Sequence, residues 1–140
     1  MLGNEAQNRK RANTDDRGVM ATHITLAFGN TVVAAQLNDT ATAQAFAAKL
    51  PVTVYVSGTG IDFCGQMPFS LPYDDAQVHH GWTNGDLNYN PGGGWLALLY
   101  DGEEDSMQYG DQVVMGRIEG DDLARVRQLS GSYDVRIELA

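Results

Sequence analysis

Between Lys49 and Arg117 the chain contains neither lysine nor arginine. Nine carboxylates fall in the same interval: Asp62, Asp74, Asp75, Asp86, Asp101, Glu103, Glu104, Asp105 and Asp111. A surface of that sign repels phosphate, which sets aside nucleic acid, nucleotides and phosphorylated metabolites as ligands. Cysteine is nearly absent too. Cys64 stands alone, so no intramolecular disulfide forms and nothing marks the chain as secreted. No apolar run reaches membrane-spanning length or looks like the core of a signal peptide, and the expected location is the cytoplasm.

At 140 residues the chain is long enough for one domain with its own core. Its formal net charge is −9, and residues 1–20 contribute +1, so the remainder carries −10. A fold this acidic is not expected to meet anionic membranes. Residues 1–20 have almost no apolar content and no periodicity, and are read as a flexible tail. Met20 then stands as a candidate translation start, and removing residues 1–19 is expected to leave the melting temperature unchanged. The domain proper is taken as residues 21–140.

Within that domain the patterning is mostly β. Ile24, Leu26 and Phe28 alternate with polar or small residues, Gly29-Asn30 is a two-residue turn signal, and Val33, Ala35 and Leu37 return in register. Asn38, Asp39 and Thr40 offer capping oxygens to a helix with Ala43, Phe46, Ala47 and Leu50 on one face, stopped by Pro51. Residues 52–56 form a further strand, and 61–67 and 86–90 are candidate short strands in a segment rich in glycine and proline. Residues 95–100 and 113–118 are apolar runs of buried-strand type. Asp121 and Asp122 are placed to cap a short helix carrying Leu123 and Val126. Tyr133, Val135, Ile137 and Leu139 alternate as one buried face of a terminal strand. Six to eight strands, largely in hairpin order, with two short helices at the ends predict a mainly β fold, a closed antiparallel barrel.

The residues that carry chemistry form no assembled catalytic set. His79-His80 with Cys64, Asp74 or Asp75 has metal-ligand types but no convincing ligand spacing, so no metal is expected. Asp101, Glu103 and Asp105 imitate the opening of a calcium loop. The sixth position is Ser106 rather than Gly and the twelfth is Gln112 rather than Glu, so the stretch reads as an acidic hairpin tip. Gly92-Gly93-Gly94 lacks the lysine and the following helix of a phosphate cradle, and no cofactor is expected. Cys64 has no base beside it in sequence and reads as a packing residue. Arg117 interrupts an apolar segment and reads as the partner of a carboxylate across the barrel, with Asp86 the reasonable choice.

Four stretches give the chain a family likeness: residues 41–51, Asp62-Phe63-Cys64-Gly65-Gln66-Met67-Pro68, Asn84-Gly85-Asp86 with the strand 95–100, and Gly116-Arg117-Ile118. Together they resemble the bacterial cyclophilin-like domain family, small proteins with a cyclophilin-type β-barrel. The resemblance implies the fold more than an activity. Cyclophilins that isomerise prolyl bonds use a Phe-His-Arg strand motif and a Gln-Gly-Gly-Asp motif, and neither string occurs here. Their arginine donates to the prolyl nitrogen as the amide loses conjugation, against a rotation barrier of about 20 kcal/mol.

The leading expectation is a non-enzymatic domain that binds a peptide or small molecule in a groove built from residues 63–95. Phe63, Met67, Phe69, Tyr73, Trp82, Asp86, Tyr89 and Trp95 are its candidate contacts. The alternative is a cofactor-free peptidyl-prolyl cis–trans isomerase, for which Arg117 is the candidate catalytic donor. A third reading, an interaction domain within an assembly, would show as a large exposed apolar patch. The oligomeric state is left open.

Overall fold

A computed structural model describes residues 21–140; the expected tail, 1–20, and the candidate start at Met20 lie outside the described residues. Strands β1 (Thr22–Phe28) and β2 (Thr31–Leu37) form the expected hairpin, in register from Thr22 opposite Leu37 to Phe28 opposite Thr31. Gly29 sits at φ +60° in the turn, the left-handed conformation that glycine adopts without a Cβ penalty. Helix α1 (Ala41–Ala48) follows. Thr40 caps it, accepting from the Ala43 N–H at 3.1 Å, while Asn38 Oδ1 accepts from both the amide and the hydroxyl of Thr40.

Strands β3 (Val52–Gly58), β4 (Asp62–Gln66), β5 (Asp86–Asn90), β6 (Trp95–Leu99), β7 (Val113–Ile118) and β8 (Ser132–Leu139) complete the sheet. It closes in the order β1-β2-β7-β5-β6-β4-β3-β8 and back to β1, antiparallel throughout, so no edge is left open. Alternation puts one face of each strand inside. Ile24, Leu37, Val54, Leu87, Met115 and Ile137 are buried there, and Phe46 of α1 adds to the same core. Phe28, Phe63, Tyr100 and Tyr133 cluster with ring centroids 5.3 to 5.9 Å apart.

Two glycines let strands approach where a side chain would collide. A Cβ on Gly65 would meet the Tyr55 carbonyl oxygen at 1.8 Å, and one on Gly116 would meet that of Gln36 at 2.2 Å. Both share the inward face of their strands with core residues, Gly65 opposite Leu96 and Gly116 opposite Leu37 and Leu87.

Several expectations are corrected. Asp121 makes no capping bond; helix α2 (Asp122–Val126) is instead braced by Asp122, whose carboxylate accepts from the Ala34 N–H at 2.8 Å. Leu139 lies on the inward parity of β8, yet at the end of the barrel it is 56% exposed. The acidic stretch after β6 is not a hairpin tip, because β6 and β7 are not neighbours. It contains a 3-10 segment, Glu103–Gln108, and its chain crosses over β5 to reach β7. The chain from β4 to β5 likewise crosses β6, with a 3-10 turn at Asp75–Gln77. A packed barrel interior has no room for a connection that skips a strand, so both crossovers run outside it.

Candidate functional site

The outer face of β4, β6 and β5 is a small grid set by register. Asp62, Leu99 and Asp86 form one row, Cys64, Ala97 and Asn88 the next, and Gln66, Trp95 and Asn90 the third. Their sequence neighbours Phe63, Leu87, Tyr89, Leu96 and Leu98 point into the core. The two crossovers wall this grid. They are zipped together by reciprocal backbone bonds between His79 and Gln112, at 2.9 and 2.8 Å. The Trp82 N–H donates to Ser106 Oγ at 3.0 Å and its indole N–H to the Asp101 carbonyl at 2.9 Å. Tyr109 lies against the Trp82 ring, centroids 5.2 Å apart. His80 Nε2 is 3.0 Å from Asp111 Oδ1 on the outside of the same seam.

Between grid and walls lies an open cavity of about 660 Å³. Asp62, Cys64, Asn88, Asn90, Ala97 and Leu99 form its floor, and Trp95, Trp82, Tyr109 and Gln112 rise around it. Thr59 and Ile61, from the turn between β3 and β4, close the far side. Among the described residues, no lysine, arginine or histidine lines it.

Asn88 is 1% exposed, and its amide nitrogen donates to Gln112 Oε1. Its Oδ1 is buried with no hydrogen-bond partner among the described residues, an expensive state for an amide oxygen. A register shift between Leu87 and Asn88, against β7, lies at the same point of the strand. Such irregularities re-aim side chains and concentrate near binding sites.

Asp62 accepts from the Thr59 hydroxyl through Oδ1. Burial pushes its carboxyl above the ordinary value, while Thr59 and Cys64 oppose the rise. Burial, reinforced by the Asp62 charge, pushes the Cys64 thiol up as well. Cys64 therefore stays a protonated thiol at neutral pH and is a poor nucleophile. Among the described residues no group of three or more His, Cys, Asp and Glu is placed to hold a metal ion. The arrangement offers hydrogen bonds, one carboxylate with the Cys64 thiol beside it, and aromatic side chains.

Of the residues nominated from sequence, Trp82 and Trp95 meet at this cavity. Phe63, Met67 and Tyr89 are turned into the core, where the Tyr89 hydroxyl accepts from the Leu71 N–H at 3.1 Å. Phe69 packs beside the core beneath Lys49, whose ammonium is 5.2 Å from the ring centroid. Tyr73 borders a separate shallow hollow near Pro91 and Asp111. Asp86 lies on the outward grid but is covered, and it pairs with Arg117 Nη1 at 2.7 Å. Burial pushes the Asp86 carboxyl up, and the Thr83 amide and the Arg117 guanidinium oppose that rise. Arg117 Nη2 also donates to the Asn84 carbonyl at 3.1 Å, and the residue lines a different hollow, with Gln36, Asn38 and Glu119.

Asp62, Asn88, Asn90, Tyr109 and Gln112 were not among the nominated contacts. The signal for three of them was present. With Phe63 assigned to the core, period-2 alternation sends Asp62 outward; with Leu87 and Tyr89 inside, it sends Asn88 and Asn90 outward.

Comparison with known proteins bears on the fold. A family model described as the cyclophilin-like family matches residues 26–138. No curated protein matches the chain in sequence. Among solved structures, the solution structure of a hypothetical protein from Archaeoglobus fulgidus superposes with a TM-score of 0.68. It is 16% identical and covers 91% of this chain and 100% of its own.

Proposed function

We propose that this chain, which belongs to the cyclophilin-like family, is a non-enzymatic binding domain that takes a peptide or small molecule on the outer face of its barrel. The observation that carries this reading is the cavity floored by β4, β6 and β5, open to solvent, walled by Trp82, Trp95 and Tyr109, and holding an unpartnered buried amide oxygen on Asn88. A large concave site with aromatic walls and few converging polar groups is the usual form of a ligand pocket. The proposed cavity reaches beyond the groove expected over residues 63–95. It takes in Thr59, Ile61 and Asp62 from the β3–β4 turn and β4, and Tyr109, Gly110 and Gln112, which the crossover between β6 and β7 brings over the grid.

Residues 21–140 are the functional unit in this reading, and its sign of charge disfavours nucleic acid and anionic membranes. No helix among the described residues is long and apolar enough to cross a membrane, and a cytoplasmic setting is part of the proposal. The isomerase alternative needs a guanidinium inside the cavity. Arg117 does not line it, and both of its terminal nitrogens are engaged by Asp86 and Asn84.

The test is an amide and indole NMR titration of the full chain against a fragment set and short proline-containing peptides. Perturbations should gather on Thr59, Cys64, Asn88, Gln112 and the two indoles. Perturbations confined to the hollow beside Arg117, or scattered over the barrel, would overturn the assignment.

A further inference from the structure

We infer that the group this cavity accepts is a cationic nitrogen with N–H donors, an ammonium or guanidinium carried on an apolar or aromatic framework. The inference rests on the binding reading above and narrows its ligand class. Three features converge on it.

The first is Asp62. Its side chain faces the cavity, Oδ1 is engaged by Thr59, and among the described residues it has no cationic partner. A carboxylate held partly out of water without a counter-charge is stabilised by any cation that reaches it. The second is Asn88 Oδ1, a buried acceptor with no donor among the described residues, one row along and two strands across on the same face. The third is the aromatic lining. Trp82 with Tyr109 against it, and Trp95, a residue 41% exposed, border the cavity, and aromatic rings attract cations.

Each alternative chemistry leaves one of these unmet. An anion meets no lysine, arginine or histidine among the described residues of the lining and is repelled by Asp62. A neutral hydroxyl or amide donor can satisfy Asn88 but leaves Asp62 uncompensated. A quaternary ammonium suits the aromatic walls and Asp62 but donates nothing to Asn88. A primary ammonium or a guanidinium gives Asp62 both charge and N–H donors, gives the aromatic side chains a cation, and carries the kind of donor that Asn88 Oδ1 lacks.

The experiment follows the emission of the chain's two tryptophans and the cavity amide resonances during titration with four probes on one framework. These are benzylamine, benzyltrimethylammonium, benzyl alcohol and benzoate. Benzylamine should bind at least about tenfold more tightly than the other three, a difference of about 1.4 kcal/mol. Asp62→Asn should collapse the preference for benzylamine over benzyl alcohol. Asp134→Asn, which removes an exposed carboxylate on β8, should leave that preference within about twofold, so bulk charge is separated from the site.

A free amine and a basic side chain are then told apart with acetyl-Ala-Lys-Ala-amide against its norleucine counterpart. Tighter binding of the lysine peptide than of benzylamine identifies a peptide ligand; the reverse identifies a small amine. Equal affinity for benzylamine and benzyl alcohol or benzoate at the cavity resonances would overturn the inference and leave the binding reading standing. No response of the cavity to any probe at millimolar concentration would overturn both. The probe series on the unmodified protein decides the matter even if Asp62→Asn fails to fold.

Discussion

Arg117 Nη1 donates to Asp86 Oδ1 at 2.7 Å across neighbouring strands, and the two partners sit in different media: the Asp86 side chain is 5% exposed and that of Arg117 53%. The carboxylate bears most of the desolvation, since the Arg117 side chain keeps about half of its surface in water. Removing the arginine strands a buried charge, whereas removing the aspartate releases an arginine into water. Arg117→Ala should therefore cost about 1–2 kcal/mol, discounted for the open side of the pair, and Asp86→Asn less. The double variant should recover part of the loss, and urea denaturation of the four proteins in a mutant cycle reads the coupling. The sign with pH is set by burial, which raises Asp86 in the folded state, so ionising it opposes folding. The Arg117→Ala penalty should grow as pH rises through the carboxylate range and shrink toward acid, where a protonated Asp86 needs no partner.

Asp122 behaves in the opposite sense. The Ala34 N–H bond, with Arg125 beside it at 2.9 Å, holds its carboxyl below the ordinary value of 3.8. A group whose folded pKa is depressed contributes stability above its unfolded pKa and loses it as pH falls through the folded one. Asp122→Ala should lower the melting temperature at neutral pH. The gap from the parent protein should close as pH falls below about 4. A gap that stays constant through that range would refute the role assigned to the carboxylate.

Gly65→Ala and Gly116→Ala should be among the most damaging single substitutions in the barrel. Each added methyl would overlap a backbone carbonyl oxygen, of Tyr55 or Gln36, rather than the movable end of a side chain. The expected cost is about 3 kcal/mol or more, at the upper end of overpacking effects. Gly110→Ala, with open space at its Cβ, is the control and should be near neutral in thermal denaturation.

Ser106→Ala should loosen the cavity wall. The hydroxyl accepts from the buried Trp82 N–H and donates to the Glu103 carbonyl at 2.7 Å, so its loss leaves an unpaired amide worth about 1–3 kcal/mol. Tryptophan emission should shift to the red and acrylamide quenching should increase. An unchanged spectrum would show that the stacking with Tyr109 and the indole bond to Asp101 hold Trp82 alone.

In a proline-peptide isomerisation assay the protein should give no acceleration above the thermal rate. The candidate donor for such catalysis is Arg117, which is committed to Asp86 and Asn84 outside the cavity. Acceleration that Arg117→Ala abolishes would establish the enzyme instead.

The barrel was largely legible in the chain because its evidence is local. Ile24, Leu26 and Phe28, the Gly29-Asn30 turn and the answering Val33, Ala35 and Leu37 specify a hairpin without reference to anything distant. The strand Trp95–Leu99 was legible as part of an apolar run, and Asp86–Asn90 only as a candidate short strand, because its surroundings are rich in glycine and proline. The cap was legible down to Thr40 but not to Asp121, since Asp122 finds a better donor on β2 than the start of its own helix.

The site was legible only in part. Aromatic character drew attention to Phe63 and Tyr89, yet their parity turns them into the core, and alternation alone does not say which face of a strand is inside. Period and polarity in the amino-acid sequence thus determined the strands, the helices, the closed mainly β architecture and the absence of positive charge around its middle. Tertiary structure alone decided which outward face became a cavity. Skipping a strand forces two crossovers outside a filled barrel, and those crossovers set Trp82, Tyr109 and Gln112 over Asp62 and Asn88, residues that no local pattern connects.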